Sequence, residues 1–405
     1  MQITTEQKIA LLAFAAALVF SLVVFPIIAD SQRAHIDPDR FGELGLSIAD
    51  GNGYAYSADG PPVFERAPLY PFLLAALFKL VGHFSLTAVQ ILQAFFHSLT
   101  SYLVVVVASK FFRRRAALTA QLLYAFHPIA LWYTARIWVE STNTLLLCVV
   151  VLTMTLLFER PNRMRAILTG IAIGVSCLVK PLLLLFPFVV GVLMIVRLEK
   201  RRWYVAILPL IIAGLVILPW TLRNYRAAND VLLVNTSLGF NLIQGDVIGE
   251  DWPSAYNTIL DYWQRGFHRA DSLLAPSGLQ WESVEGDRTL ISHATEQYLS
   301  NPTSLAKKVA ANFFTFWYLS ESLAKSIFFG ILQFALLIAG VVSYIRLDGK
   351  ERRRVIPISA LVLYYIAVNV FIVGWARYSM PLIPLLLIVA SPLLSRVISF
   401  GEKHE

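Results

Sequence analysis

Apolar runs of about 15 to 24 residues recur from one end of the chain to the other and are separated by polar segments. An α-helix needs about 20 mostly apolar residues to cross the hydrocarbon core of a bilayer, because each residue adds only about 1.5 Å. The pattern therefore predicts an all-α polytopic membrane protein. The ten predicted spans lie near residues 9–29, 86–109, 116–133, 138–158, 165–179, 182–197, 203–220, 326–345, 355–373 and 380–398.

The segment 68–83 is apolar but only about 16 residues long. It begins with Pro68 and Pro71, and it carries Lys79. Its length favours a half-inserted or interfacial helix over a full span.

Four clusters of basic residues share one side of the membrane if segment 68–83 is not counted as a span. The clusters are Lys110 with Arg113 to Arg115, Arg160 with Arg163 and Arg165, Arg197 with Lys200 to Arg202, and Arg346 with Lys350 and Arg352 to Arg354. Cytoplasmic loops are enriched in Lys and Arg, so both termini are predicted to be cytoplasmic. The other polar motifs then lie on the extracytoplasmic face, which favours an enzyme of that face over a pore with ionisable groups at mid-span.

The composition agrees with a membrane protein, since 57% of the residues are hydrophobic and 15% are charged, against about 25% charged in soluble domains. The net charge of +8 comes largely from short clusters between spans, so it indicates topology and not a nucleic-acid partner. Cys148 and Cys177 lie inside apolar runs and support neither a disulfide framework nor a thiolate metal site. The run 9–29 is too long for a signal-peptide core, so we expect it to remain as a span.

Two long polar segments divide the chain into three predicted parts. Residues 1–220 form an N-terminal membrane module with a first outer loop at 30–85, residues 221–325 form an extracytoplasmic loop domain, and residues 326–405 hold the C-terminal spans. Within the loop domain, we predict β-prone runs over 230–244, an amphipathic helix over 283–300, and an interfacial helix over 305–318.

The first outer loop contains the sequence Asp37-Pro-Asp-Arg-Phe41. One interpretation is a helix start, with Asp37 as the cap and Pro38 at the first helical position. The other is a carboxylate held at the membrane surface, where partial loss of water raises its basicity enough to take a proton from a hydroxyl or amine. The residue pattern alone leaves both open.

Two further segments combine Arg with Glu. Glu65 and Arg66 precede the half-inserted helix, where Arg is either an interfacial anchor or a functional group. Arg136 and Glu140 are four residues apart, which predicts an ion pair within one helix. Alternatively, Glu140 is a functional carboxylate at the lipid boundary, on the same side as Asp37.

Cations beside aromatic residues mark other predicted corners on this side. Arg223 and Tyr225 end a span in the sequence Pro219 to Arg226, while Lys180 and the pair Arg377-Tyr378 lie between spans. An aromatic belt with cationic anchors explains such residues. A phosphate held by charge-assisted contacts explains them equally well.

Together these motifs resemble the GT-C class of polyprenyl-phosphate-sugar-dependent glycosyltransferases, in the branch of the protein O-mannosyltransferases and the lipid A aminoarabinose transferase. Asp37 to Phe41 is similar to the family's Asp-Glu-x-Arg-Tyr signature, and Glu65 to Leu69 is similar to a Glu-Lys-Pro-Pro-Leu stretch. Further similar pieces are Arg136 to Glu140, Pro219 to Tyr225, Gly239 to Gly245, and Arg377 to Pro381.

The resemblance implies a GT-C transmembrane helix bundle with extracytoplasmic loops and an inverting glycosyltransferase activity. Asp37 would be the general base, and Glu140 and Glu65 would be accessory carboxylates that orient cations or sugar hydroxyls. The implied substrate-binding residues are Arg40, Arg66, Arg136, Lys180, Arg223, Tyr225, Arg377 and Tyr378.

The resemblance also implies the partners. The sugar would come from a polyprenyl-phosphate carrier in the membrane lipid and go to a lipid, glycan or protein acceptor of the cell envelope, at the plasma membrane (inner membrane) of a bacterium. No cofactor is required, although a divalent cation could bridge Asp37 with Glu140 or Glu65, because some relatives use one. The alternative function is a transporter or flippase of lipid-linked sugars, for which the sequence lacks charged groups or Gly/Pro breaks at matching mid-membrane positions of two halves.

Overall fold

The computed structural model describes residues 3–29, 36–197, 203–253 and 258–399, in which the regular structure is helical. Within these described residues, an isolated antiparallel β-bridge joins Ala55 and Pro62. The predicted all-α fold class is confirmed. The helices are α1 (Thr5–Val19), α2 (Phe25–Ile28), α3 (Phe41–Ala49), α4 (Leu69–Val81), α5 (Leu86–Ala108), α6 (Arg114–Ala125), α7 (Pro128–Trp132), α8 (Glu140–Glu159), α9 (Arg163–Val179), α10 (Phe186–Arg197), α11 (Trp203–Ala228), α12 (Leu238–Asp251), α13 (Ile259–Leu274), α14 (Val284–Ser300), α15 (Pro302–Tyr318), α16 (Leu323–Arg346), α17 (Gly349–Arg354), α18 (Ile356–Ile372), α19 (Ala376–Ser379) and α20 (Ile383–Ser399).

Six stretches among the described residues are long and apolar enough to cross a membrane, and α1 continues through a π-helical turn at Phe20–Val24 into α2 to form the first of them. The six are Thr5–Ile28, Leu86–Ala108, Glu140–Glu159, Trp203–Ala228, Leu323–Arg346 and Ala376–Val397. Shorter apolar helices occupy Leu69–Val81, Pro181–Arg197 and Ile356–Ile372. Every predicted span overlaps a helix, whereas the predicted basic residues Lys200 to Arg202 lie outside the described residues.

One predicted span is broken. Residues 116–133 were expected as a single helix, but α6 ends at Ala125 and α7 begins at Pro128. His127 has extended backbone angles (φ −70°, ψ 118°), because a residue that precedes proline is disfavoured in the helical region. The short α7 then turns the chain toward the segment that holds Arg136.

The loop domain is helical where the sequence predicted β-prone runs. Residues 238–251 form α12, so the interpretation of 230–244 is wrong over its second half. Phe240, Ile243 and Val247 recur at helical spacing and are buried, so their packing outweighs the local β preference of the run. The predicted helix at 283–300 is confirmed as α14, and the one at 305–318 begins earlier, at Pro302.

Small residues bring α9 and α11 into close contact. A Cβ atom added at Gly170 would lie 2.7 Å from the Cβ atom of Ile212, and one added at Gly174 would lie 2.7 Å from the Cβ atom of Val216. Glycines four residues apart let membrane helices approach in this way. This packing fixes the end of α9, where Lys180 follows the last helical residue.

Candidate active site

Asp37 accepts two backbone hydrogen bonds at the start of α3. Its Oδ2 atom lies 2.7 Å from the amide nitrogen of Gly42 and 3.0 Å from that of Glu43. The helix begins at Phe41 and its N-cap residue is Arg40, in a left-handed conformation (φ 57°). The capping interpretation of Asp37 is therefore right about its role and wrong about the position of the helix start.

Gly42 makes room for this contact. A Cβ atom at position 42 would lie 2.9 Å from Oδ2 of Asp37, closer than real side chains approach. The absence of a side chain lets the carboxylate reach the free amide groups of the first turn of α3.

The second oxygen of Asp37 is buried and accepts no hydrogen bond within the described ranges. Burial raises the pKa of Asp37 to about 6, and the charge of Asp39 adds to the rise, while the amide groups of Gly42 and Glu43 oppose it. A carboxylate with one free oxygen and a raised pKa is a stronger base than an exposed Asp.

Arg377 joins two carboxylates that are remote in sequence. Its Nη2 atom lies 2.5 Å from Oδ2 of Asp39, and its Nε atom lies 2.6 Å from Oε1 of Glu140. Lys180 Nζ is 3.7 Å from the same Glu140 oxygen. We call these four residues, Asp39, Glu140, Lys180 and Arg377, the Arg377 network.

The network is deeply placed and close to Asp37. Glu140 is fully buried, and its Oε2 atom accepts no hydrogen bond from a described residue. Burial tends to raise the pKa of Asp39, but the charges of Arg377 and Arg66 hold it below its ordinary value. The hydroxyl of Tyr70 is also buried, which raises its pKa, and it is close enough to Asp37, Glu140 and Asp39 for their charges to raise that pKa further.

Aromatic rings enclose the cations of the network. Lys180 Nζ lies 3.7 Å from the ring centre of Tyr378, and the Arg377 guanidinium lies 5.2 Å from that of Trp138. These contacts hold the cations in place and exclude water from them. Tyr378, a predicted substrate-binding residue, therefore forms a wall of the site.

Glu65 and Arg66 are close in sequence but have different surroundings. Glu65 accepts a hydrogen bond from the hydroxyl of Tyr56 (2.8 Å), so it faces the loop. Arg66 is near enough to Asp39 to affect its pKa, and its Nε atom donates to no acceptor in the described part of the chain. Of the two, Arg66 is the one available to a ligand at the network.

Arg40 is exposed and pairs with Glu43. Its Nε and Nη2 atoms each lie 2.7 Å from a carboxylate oxygen of Glu43, and its guanidinium lies 3.8 Å from the ring centre of Tyr56. The predicted substrate-binding residue thus helps to fix the loop surface beside Asp37.

The predicted ion pair between Arg136 and Glu140 is absent. The helix α8 begins at Glu140, so Arg136 precedes it and the i, i+4 geometry does not apply. Arg136 instead binds Glu321, with Nη1 and Oε1 2.5 Å apart, and Lys325 binds the same carboxylate at 2.6 Å. The ion-pair partners of Glu140 are therefore Arg377 and Lys180, and not Arg136.

Arg223 binds the backbone of the first loop. Its guanidinium donates to the carbonyl oxygens of Val63 (3.1 Å) and Tyr54 (3.2 Å). Three aromatic rings, those of Tyr54, Phe64 and Trp220, lie 4.8 to 5.5 Å from its central carbon. The other predicted residue of this corner, Tyr225, is 49% exposed.

Removing this guanidinium should loosen the first loop. We expect Arg223→Ala to increase the rate of limited proteolysis within residues 50–66 about tenfold, because two carbonyl groups lose charge-assisted hydrogen bonds. Arg226→Ala, at an exposed position three residues away, is the control. Equal cleavage rates in the two variants would show that Arg223 does not hold the loop.

The sequence interpretation missed three members of the site. Asp39 lies inside the same motif as Asp37, and the alternation of acidic residues around Pro38 was a usable signal. Tyr70 and Glu321 had no such signal, because only the tertiary fold brings them to Asp37 and to Arg136.

The three carboxylates proposed for a divalent cation are not arranged as ligands. The described residues contain no group of three or more His, Cys, Asp or Glu side chains that could hold a metal ion. Glu65 is bound by Tyr56, and one oxygen of Glu140 faces Arg377 and Lys180.

Comparisons with known proteins agree with the fold. Residues 65–223 match the family of dolichyl-phosphate-mannose-protein mannosyltransferases. This range includes Arg66, Glu140 and Lys180, whereas Asp37 and Arg377 lie on either side of it. No curated protein sequence matches the chain.

Solved structures match nearly the whole chain. The archaeal oligosaccharyltransferase AglB from Archaeoglobus fulgidus, in complex with an inhibitory peptide and a dolichol-phosphate, has a TM-score of 0.56 at 14% identity, over 99% of this chain and 52% of that one. Its apo form gives 0.57 at 14% identity, over 98% and 51%. ArnT from Cupriavidus metallidurans bound to undecaprenyl phosphate gives 0.43 at 14% identity, over 98% and 79%.

The present chain spans about half the length of the oligosaccharyltransferase structures that it matches. The helical architecture nevertheless extends over nearly all of its own residues. The predicted resemblance is confirmed at the level of the fold: this multi-pass membrane protein shares the fold of the archaeal oligosaccharyltransferase, and residues 65–223 match the mannosyltransferase family.

Proposed function

We propose that the protein is an inverting membrane glycosyltransferase that moves a sugar from a polyprenyl-phosphate carrier to an extracytoplasmic acceptor, with Asp37 as general base. The observation that carries this proposal is the unpaired, buried Oδ1 atom of Asp37 beside the Arg377 network. An archaeal oligosaccharyltransferase of the same fold has been solved with dolichol-phosphate, which supports the choice of lipid carrier.

The transfer needs one proton acceptor and one stabilised leaving group. The acceptor's hydroxyl or amino group attacks the anomeric carbon of the sugar while its proton passes to Oδ1 of Asp37. The bond between the anomeric carbon and the phosphate oxygen breaks, and the lipid phosphate departs with the bonding electrons. Attack in line with the leaving group inverts the anomeric configuration.

Fixed cations would stabilise the charge that develops on the phosphate. The ion-pair partner of Lys180 Nζ among the described residues is Glu140, at 3.7 Å, and Arg66 has an unpaired Nε atom. Arg377 forms ion pairs with both Asp39 and Glu140. We therefore assign the phosphate to Arg66, Lys180 and Arg377, while Arg223 holds the first loop through its contacts with Tyr54 and Val63.

Chelation should leave this reaction intact, because the positive charge comes from side chains. We expect the rate of sugar transfer after EDTA treatment to equal the untreated rate. A loss of activity that Mn²⁺ or Mg²⁺ restores would contradict this and return a bridging cation between Asp37 and Glu140 to the mechanism.

The pH dependence follows from the raised pKa of Asp37. The ionised carboxylate is the active form, so the rate should fall as the pH drops through about 6, and by roughly tenfold per unit well below it. An ordinary Asp would lose activity only near pH 4. Rates of sugar transfer between pH 4 and 8, with stability checked at each pH, measure this limb, and a flat profile down to pH 4.5 would exclude Asp37 as the base.

The active site is proposed to face the outside of the cell. The cluster at Arg113 to Arg115 is at the start of α6 and the cluster at Arg352 to Arg354 directly precedes α18, whereas Glu140 follows α6 and α7 and Arg377 follows α18. The positive-inside rule favours this orientation. A reporter fused near Arg114 should therefore read as cytoplasmic. An external reading would place the site on the inner face.

A single assay separates the enzyme from a transporter. Proteoliposomes that contain the protein, a radiolabelled polyprenyl-phosphate sugar and a cell-envelope extract as acceptor should release lipid phosphate and yield a labelled glycosylated product. Movement of intact lipid-linked sugar between leaflets would support the flippase instead. If neither a labelled product nor movement of the lipid-linked sugar is observed, both functions are overturned.

A further inference from the structure

A polar cavity of about 290 Å³ lies between α12, α14 and α15, in the loop domain. Its wall includes Asp246 and Glu250 from α12, Gln297 near the end of α14, and Thr303, Ser304 and Lys307 at the start of α15. The volume is at the lower end of small-molecule sites, which suits one sugar ring.

Asp246 gives the cavity a buried and incompletely bonded carboxylate. Its side chain is 2% exposed, and its Oδ1 atom accepts a hydrogen bond from the Tyr298 hydroxyl (2.9 Å) and lies 3.2 Å from Nζ of Lys308. Its Oδ2 atom accepts no hydrogen bond from the described residues. A buried carboxylate oxygen is costly without a hydrogen-bond donor. Because Asp246 belongs to the cavity wall, a ligand hydroxyl bound beside this side chain would lower that cost.

The remaining lining offers both donors and acceptors, and its one charge without an ion-pair partner among the described residues is the ammonium group of Lys307. The carboxylate of Glu250 is bound by Arg269 at 2.6 Å, and that of Asp246 is balanced by Lys308. The side chains of Gln297, Thr303 and Ser304 then present amide and hydroxyl groups. Such a mixture matches a ring of hydroxyl groups, each of which donates and accepts, better than it matches an apolar ligand or a strong anion.

Helix α15 sets the distance between this cavity and the Arg377 network. The cavity is at the start of α15, whose 17 residues make it about 25 Å long. At its other end, the carbonyl oxygen of Leu319 accepts a hydrogen bond from the amide of Ala376, the residue before Arg377 (3.1 Å). The two places are thus joined by one rigid helix and separated by a length of several sugar units.

We propose that this cavity is a second sugar-binding site, which takes one hydroxylated ring of an extended glycan acceptor while another part of that glycan is at the Arg377 network. The identity of the ligand as an acceptor rests on the proposed function. The affinity for a sugar ring rests on the cavity alone.

Saturation-transfer NMR on the full chain in lipid nanodiscs tests the site without any sugar-phosphate lipid. Nanodiscs are needed because common detergents carry sugar head groups. The probes are mannose, glucose, galactose, N-acetylglucosamine and arabinose in one mixture. We expect saturation transfer to at least one of them with the unaltered protein.

Two tryptophan variants locate the signal. Thr303→Trp fills the cavity from its exposed rim and should reduce the transfer to background. Ala310→Trp, at an exposed position on the same helix and away from the cavity lining, should leave it unchanged. In addition, Asp246→Asn should raise the dissociation constant about tenfold or more, since it removes the charge that binds a ligand hydroxyl.

The outcomes are decisive in both directions. No transfer to any probe, or equal transfer with Thr303→Trp, would overturn the sugar site. Binding that is lost in Thr303→Trp and kept in Ala310→Trp would establish it, even if the proteoliposome assay found no glycosyl transfer. A failure of the proposed function is thereby distinguished from a failure of this site.

Discussion

Replacing Asp37 by Asn is expected to lower the rate of sugar transfer by about 10² to 10⁴, the usual contribution of a general base. Asn keeps one side-chain oxygen that can accept the hydrogen bonds from the amides of Gly42 and Glu43, so the start of α3 is preserved. The substitution removes the basic oxygen and little else. Initial rates in the proteoliposome assay measure the effect.

The control is Asp59→Asn, which removes an exposed carboxylate from the same loop and should leave the rate unchanged. Both variants should elute as a single species in gel filtration and melt at the temperature of the unaltered protein. Near-normal transfer by a correctly folded Asp37→Asn protein would remove Asp37 from the mechanism.

Replacing Arg377 by Met is expected to be the most destabilising change in the site. It removes the partner of Asp39 and the closest partner of the fully buried Glu140, and it leaves Lys180 at 3.7 Å as the nearest cation to Glu140. Breaking a buried ion pair by removing one partner costs about 3–5 kcal/mol. Thermal unfolding in detergent should show a large decrease in the melting temperature, together with loss of transfer.

A combined variant distinguishes the effect of losing the charge of Arg377 from the effect of losing its packing. Adding Asp39→Asn and Glu140→Gln to Arg377→Met removes the unpaired carboxylates, so most of the stability should return while the transfer activity should not. Arg288→Met, which breaks an exposed pair with Asp230, should cost less than about 1 kcal/mol and serves as the control. A combined variant as unstable as Arg377→Met would mean that packing, and not charge, explains the loss.

The membrane helices could be predicted because their signal is local. A run such as 86–109 is apolar over a length that only a buried or membrane-spanning helix needs, and α5 occupies it almost to the residue. The same approach failed at 230–244, where β-prone residues form α12. In that segment the preference of each residue is weak and the packing of Phe240 and Ile243 decides the structure.

The sequence predicted many residues of the site, but it did not predict which of them contact one another. Asp37, Glu140, Lys180 and Arg377 were all candidates from the sequence, and the fold brings them into one region. The predicted partner of Arg136 was wrong, because an i, i+4 pair requires both residues on one helix and α8 starts only at Glu140. Pairing between residues hundreds of positions apart has no local signal, and the bond from Arg377 to Asp39 is of this kind.

That bond also has a consequence for biosynthesis. Asp39 belongs to the first outer loop and is translated early, whereas its cationic partner follows 338 residues later. During this interval a nascent chain holds its acidic groups without the guanidinium that arranges them. If the protein is the proposed glycosyltransferase, we therefore expect a chain that ends before Ala376 to transfer no sugar, because the carboxylates of the site lack this guanidinium.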